Sequence, residues 1–438
     1  MRCRGQQTTL QERLTIQTLA HAGQSDPQIA SALGCSVATV RKWRRIAQRL
    51  GRAALTSVMG RPVSGALGSL SDAQRAAIRH LRETHPGWGP TTILAELRRD
   101  ASWASSRLPS RARIAAFLRQ EGLSRPYHKR RALPQPSPSC ATAPHDEWQL
   151  DAQGACEVAG LGKVCVINVA DVISRLKVES YPLLATTQPS TNNYQLVLRR
   201  AFTSFGLPEH ITLDHGCAFY DNTCPSPFPT RLHLWLIALG VGVQFTRKRC
   251  PTDHALIERM HQTMSGQALL GQNWSEQAAL WAELDDRRGQ LNTAIPSAVL
   301  GGQAPLQADP TAAHSGRWYR PEWEAEMLDL ERVDGYLAEG QWFRTSNSHG
   351  EFWLGRQRYN LGSRYRKQAL ELRYDQQRRE LICYPGASAP ARRFAVQGLT
   401  VAELMGELAP VLTLPAYQLA LPFTRETWRQ LELARCVG

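Results

Sequence analysis

Three acidic residues, Asp151, Asp214 and Glu258, lie far apart along the chain, yet each stands where a regular element would present it. Asp151 falls in the alternating run Trp148–Val158, and Asp214 closes the short strand-like run His210–Leu213. Glu258 belongs to a helical stretch opening near Thr252. A single aspartate at a strand end ordinarily makes a turn or caps a helix. Three carboxylates gathered in one place can do more, because their hard oxygens suit Mg²⁺ or Mn²⁺. Other acids read as local: Asp146 as a linker residue, Asp171 as a turn former beside Ser174, Asp221 as a loop residue. His210, His215, His233, His254 and His261 lack the ligand spacing of a zinc site and read as solvent or core histidines.

The elements that must position the three acids follow from the pattern. Trp148–Val158, the apolar run Lys163–Ala170 and the run Leu176–Pro182 read as strands. Thr191–Phe205 is helical, His210–Leu213 a strand, Pro229–Leu239 a helix, Gly242–Thr246 a strand, and the Glu258 helix follows. That order predicts an RNase H-like α/β core over residues 146–300, with the first and fourth strands side by side. Asp151 and Asp214 then project from neighbouring strands, and Glu258 reaches them from a packed helix.

Four stretches carry a resemblance: Trp148-Gln149-Leu150-Asp151, Asp171-Val172-Ile173-Ser174-Arg175, Thr212-Leu213-Asp214-His215-Gly216 with Phe219, and Pro251 through Arg259. As a set they resemble the DDE transposase and retroviral integrase superfamily over about residues 147–300. The resemblance implies a polynucleotidyl transferase with two Mg²⁺ or Mn²⁺ ions, Asp151 bridging them, Asp214 on one and Glu258 on the other. It implies hydrolysis at the end of a mobile element, then attack of the freed 3′-hydroxyl on target DNA, with Arg259 on a phosphate. Two departures stand out. Asp214 and Glu258 are separated by 43 residues, more than the family's usual spacing, and the excess fits the loop Tyr220–Thr230. Asp253-His254-Ala255 also stands where relatives usually place a polar residue and a glycine.

Charge points to the same polymer. The formal net charge is +14, and residues 1–140 hold 23 Lys and Arg against 7 Asp and Glu, so the first third supplies the whole excess. Residues 1–55 read as a helix-turn-helix domain, with Asp26-Pro27 opening one helix, Gly34 ending it and Ser36 capping the next. Val37, Val40 and Trp43 face inward; Thr39, Lys42 and Arg45 are the expected DNA contacts, among the basic residues Arg41, Arg44 and Arg49. Residues 69–124 read as a second helix-turn-helix domain. Its Trp88-Gly89-Pro90 and Leu108-Pro109-Ser110 helix starts resemble those of bacterial insertion-sequence transposases, and Arg111 and Arg113 are expected to face DNA. Residues 125–145 form a basic Pro-rich linker around His128-Lys129-Arg130-Arg131.

Beyond the core, residues 320–385 turn to short strands and resemble the small β-barrel of Mu-type transposases. Arg356, Arg358, Arg364, Arg366 and Lys367 are its candidate DNA-backbone contacts; no role is read for residues 386–438. The expected fold class is thus multidomain: helical helix-turn-helix modules, an α/β RNase H-like core and a small C-terminal barrel. Hydrophobic residues at 42% and charged ones at 21% exclude a disordered chain. The longest apolar stretch, Leu232–Phe245, is broken by Gly240 and Gly242 and too short for a bilayer, no signal peptide opens the chain, and a cytoplasmic location is expected. Ten cysteines without a CxxC pair read as reduced thiols. Expected partners are double-stranded DNA (element ends and target), further copies of the chain on that DNA, and a separate ATPase for target choice; no membrane is expected. Two other readings compete. The intact acid set argues against a non-catalytic DNA-binding protein derived from a transposase, and the basic front argues against a plain RNase H-like nuclease.

Overall fold

A computed structural model describes residues 8–56, 70–124, 139–222, 224–248, 250–386 and 390–407. The cluster His128–Arg131 of the expected linker and most of the expected tail lie outside the described residues. The chain divides into two units, residues 1–71 and 72–438.

The first unit is built from α1 (Leu10–His21), α2 (Asp26–Ala32) and α3 (Val37–Leu50). Ile16, Ile29, Ala30 and Val40 form its core, with Leu33 and Trp43 packed against them. Ser36 caps α3 as expected, its hydroxyl accepting from the Thr39 amide. The start of α2 differs from expectation: Ser25 is the cap, and the Gln28 side chain returns to the Ser25 amide at 2.9 Å. Asp26 is therefore already helical, which frees its carboxylate to accept from Arg44 at 2.8 Å and Arg41 at 3.3 Å. Those two guanidinia hold the Asp26 carboxyl below its ordinary value.

The second unit opens with α4 (Asp72–Thr84), α5 (Pro90–Arg99) and α6 (Arg111–Gln120), which bury Ile78, Ile93, Leu97, Ile114, Phe117 and Leu118. These helices also dock on the α/β core. The buried Trp88 donates its Nε1–H to the Gln267 carbonyl at 3.0 Å, and the Arg287 guanidinium sits 4.8 Å over its ring. Arg287 also meets Glu96 at 2.6 Å, and Arg99 meets Asp286 at 2.8 Å. Only glycine fits at position 87, where a Cβ would stand 1.8 Å from the Gly266 carbonyl oxygen.

The core sheet comprises β1 (Glu147–Ala152), β2 (Cys156–Val158), β3 (Gly162–Asp171), β4 (Lys177–Leu184), β5 (His210–Leu213) and β6 (Gly242–Phe245). The order β3-β1-β5-β6 runs across it, with β4 on the other side of β3 and β2 on the start of β3. β1 is antiparallel to β3 and parallel to β5, so the expected first and fourth strands are neighbours. Around the sheet pack α7 (Thr191–Phe205), α8 (Arg231–Ala238), α9 (Ala255–Met264) and α10 (Gln277–Thr293). This is the RNase H-like arrangement. α7 and β5 have the boundaries their sequence implies, whereas Pro251–His254 forms a 3₁₀ turn that delays α9 to Ala255. A π-helix, Ser265–Leu269, continues α9 directly.

Short helices α11 (Pro305–Ala308), α12 (Glu324–Met327) and α13 (Leu330–Ala338) lead to β7 (Gln341–Thr345), β8 (Glu351–Leu354), β9 (Gln357–Asn360), β10 (Ala369–Asp375), β11 (Glu380–Pro385) and β12 (Arg392–Ala395). The strands thus start later than residue 320 and end later than 385. They form a four-stranded sheet, β12-β11-β10-β7, and a separate β8-β9 hairpin rather than one closed ring of pairing among the described residues. α14 (Val401–Met405) follows, and Arg199 of α7 ties it down by donating to the Met405 carbonyl at 2.7 Å. The same guanidinium is paired with Glu324 at 2.6 Å, both side chains fully buried. Breaking such a pair leaves a buried charge and costs about 3–5 kcal/mol.

Candidate active site

Strand pairing brings two of the three acids together. The parallel register sets Trp148 beside Ile211 and Gln149 beside Thr212, so two residues further Asp151 falls level with Asp214. Asp151 is a quarter exposed; its Oδ2 accepts from His261 Nε2 at 3.2 Å. Asn168, paired across the sheet with Asp151, donates to His261 Nδ1 at 2.7 Å. That donation leaves the imidazole hydrogen on Nε2, facing Asp151. Asp214 lies just past β5 and accepts from the Gly216 amide at 2.8 Å, a tight turn that holds the carboxylate at the sheet's end.

Glu258 is exposed in the first turn of α9. Gln149 fixes this helix to β1. Its Nε2 donates to the Asp253 carbonyl at 2.9 Å, and its Oε1 accepts from the Ile257 amide at 3.2 Å. One otherwise open amide of the helix start is thereby satisfied from the strand that carries Asp151. His254 reports on all three acids at once. Burial pushes its pKa down, against the pull of Asp151, Asp214 and Glu258. Its Nε2 is buried without a partner among the described residues. Tyr194, buried in α7, has its phenol raised by burial and by Asp151 and Asp214.

The side chains as they stand do not close into a cage: among the described residues no group of three or more His, Cys, Asp or Glu is arranged to hold an ion. The donor chemistry nevertheless suits a hard divalent cation, since the three side chains offer carboxylate oxygens and all three are exposed or partly so. Two histidines set aside on sequence grounds, His254 and His261, belong to this site. Their signal was present: His261 is three residues beyond Glu258, hence on the same helix face, and Asn168 is polar inside an apolar strand. Asp171 is the expected turn former, accepting from the Ser174 amide and hydroxyl at 2.6 Å each.

A cavity of about 800 Å³ opens beside the start of α9, lined by Arg259, Arg247, Arg175 and Lys177 among others. Burial, with Arg175 nearby, lowers the Lys177 pKa to about 8. The remaining expected DNA contacts are spread out. Lys42, Arg45 and Arg111 are exposed, and Thr39 is half-buried against Ser36. Arg113 is half-buried, its Nε enclosed without a partner among the described residues, because α6 turns that side toward its own module. Eight cysteines are described and all are free thiols; burial raises Cys165 to about 11.

Residues 7–56 match the family model for a homeodomain-like domain. The N-terminal helices are a homeodomain-like domain. Among solved structures, the catalytic core domain of BIV integrase is similar at 16% identity, over 37% of this chain and 92% of that one, with a TM-score of 0.27. The HTLV-2 integrase catalytic core in complex with magnesium (trimeric form) is similar at 15% identity over 38% of this chain and 96% of that one, TM-score 0.28. A simian T-cell lymphotropic virus intasome in complex with PP2A regulatory subunit B56 gamma matches at 12% identity over 70% of this chain and 97% of that one, TM-score 0.32. The core fold itself is defined by the strand order given above. No helix among the described residues is long and apolar enough to cross a membrane.

Proposed function

We propose that this chain is a transposase or integrase that binds the ends of a mobile DNA element, cleaves them and joins them to a target. The observation that carries the reading is the level placement of Asp151 and Asp214 on adjacent parallel strands, with the Glu258 helix fastened to the first of them by Gln149. Asp151, Asp214 and Glu258 would hold divalent cations, which in such sites stabilise the entering and leaving oxygens of a phosphodiester displacement. His261 keeps one oxygen of Asp151 oriented by hydrogen bonding, and Gly216 does the same for Asp214. Arg259, exposed next to Glu258, and the basic cavity beside it offer cations to a DNA phosphate. Lys42 and Arg45 of the homeodomain-like domain, both exposed, would supply phosphate and base contacts. Holding two DNA ends together calls for more than one copy of the chain.

A second reading, a DNA-binding protein without catalysis, draws support from the His261 bond that occupies an oxygen of Asp151. Strand transfer in Mg²⁺ separates the two. Asp214→Asn and Glu258→Gln are expected to abolish joining by at least about 100-fold while leaving end binding nearly unchanged. Equal joining by wild type and both variants defeats the catalytic reading.

A further inference from the structure

A cavity of about 1000 Å³ lies between the core and the C-terminal strands. It is reached from the Asp214 turn through Cys217 and Tyr220 and bounded opposite by Trp353 and Arg356. Its size is that of a site for a nucleotide-sized ligand with room to spare.

Three features of its lining agree. Trp353, on β8, is 49% exposed, while its strand neighbours Phe352 and Leu354 are buried, so the hairpin turns its one large aromatic face outward. The Trp353 ring has no aromatic or cationic partner among the described residues, and its carbonyl is pinned by Arg344 Nε at 3.0 Å. Arg356 is the second feature. It sits at φ 65° in the two-residue turn after Gly355, a conformation residues with a Cβ seldom adopt. Position 355 must be glycine, since a Cβ there would come within 2.8 Å of the Phe228 ring. The loop after Asp214 and the hairpin thus clamp each other, which sets Arg356 over the cavity. Third, the half-buried Arg231 lines the same space, and its guanidinium donates to the neutral Asn192 amide oxygen. Burial and the nearby Arg199 and Arg356 oppose its charge by more than Glu407 supports it, which favours a further anion at this place. The acids in the lining are already engaged: Asp221 lies 3.9 Å from Arg344, and Glu403 accepts from Thr400 at 2.6 Å. An aromatic platform beside two guanidinia that make no ion pair among the described residues has the chemistry of single-stranded nucleic acid binding, where bases stack and phosphates meet arginine.

We propose that this cavity takes an unpaired nucleotide of the substrate DNA, its base on Trp353 and its phosphate between Arg231 and Arg356. The proposal rests on the reading of the chain as a DNA-processing enzyme and adds that the DNA must open next to the site of chemistry. It is tested with the full-length chain and fluorescein-labelled duplexes, either blunt or ending in a few unpaired nucleotides, in the absence of divalent cations. Wild type is expected to bind the unpaired ends about 5- to 100-fold more tightly, the size of one base stack. A 2-aminopurine in the unpaired segment is expected to lose fluorescence on binding. Trp353→Ala should bring unpaired ends to the affinity of blunt ones and restore that fluorescence, and Trp353→Phe should retain part of both. Arg356→Ala should narrow the preference most at low salt. Equal binding of the two DNAs by wild type overturns the proposal, as does an undiminished preference in Trp353→Ala. Deoxyadenosine monophosphate competing as strongly as unpaired DNA would assign the cavity to a free nucleotide and also overturn it. Because no chemistry occurs in this assay, its failure is separate from a failure of Asp214→Asn to stop strand transfer.

Discussion

The helices α1–α3 and α4–α6 start from similar patterns, each ending in a hydroxyl-capped helix with arginines on its outer side, and they come to different uses. In the first module the core is closed by its own residues, and Lys42 and Arg45 remain exposed on α3. In the second, polar and aromatic groups are spent on the α/β core: Trp88 on the Gln267 carbonyl, Glu96 on Arg287, Arg99 on Asp286. A basic three-helix module can therefore also serve as a docking surface for a neighbouring core. What separates the two is where the residues between helices find their hydrogen bonds. The indole N–H of Trp88, in the Trp88-Gly89-Pro90 segment, finds its acceptor 179 residues away, at the π-helix after α9.

The sharpest way to break this contrast is Trp88→Ala. Removing a buried indole that both packs and donates is expected to cost about 3–5 kcal/mol, read as a fall in urea midpoint for the second unit. A loss below about 1 kcal/mol would show that α4–α6 does not depend on the core. Next comes Lys42→Ala with Arg45→Ala. Weaker end binding is expected, and the slope of log K against log salt should shrink by about 2, since each phosphate contact contributes about 0.9. If Arg111→Ala alone shrinks the slope by about 0.9, the second module also serves DNA and the contrast fails. The smallest effect concerns the docking contact at Asp286. Burial pushes its carboxyl up, but Arg99 and Arg287 outweigh this and hold it below its ordinary value. A carboxyl lowered on folding stabilises above its unfolded pKa, and that contribution fades as pH falls through the folded value. Melting curves from pH 6 down to about pH 2 should therefore lose stability less steeply in Asp286→Asn than in wild type, and parallel curves would remove Asp286 from the docking energetics.

Local signals carried most of the fold. The Ser190 cap and the buried stripe Tyr194, Val197, Leu198, Ala201 gave α7 its limits, because both the cap and the helical period lie within a few residues. The same was true of Asp151 and Asp214 as strand-end acids, whose adjacency follows from the sheet order and whose level placement is set by the β1–β5 register. What stayed hidden depends on distant partners. β12 is polar and largely exposed, and it is a strand only because β11 pairs with it. The docking of α4–α6 needs Gln267 and Arg287, which no window around Trp88 contains. At the start of α2, Ser25 and Asp26 are both good cap residues, and the Gln28 side chain decides for Ser25.

The uninterrupted passage of α9 into the π-helix has a mechanical side. Met264 and Ser265 both keep helical dihedrals, so Glu258 and the seat of Trp88 ride on one stiff rod. From Glu258 to Gln267 that rod is roughly 13 Å long at about 1.5 Å per residue. A tilt imposed at one end is delivered at the other, with Gln149 near the fulcrum. Tugging on the second helical module would thus swing the glutamate relative to the two strand-borne acids, while the strands themselves stay put.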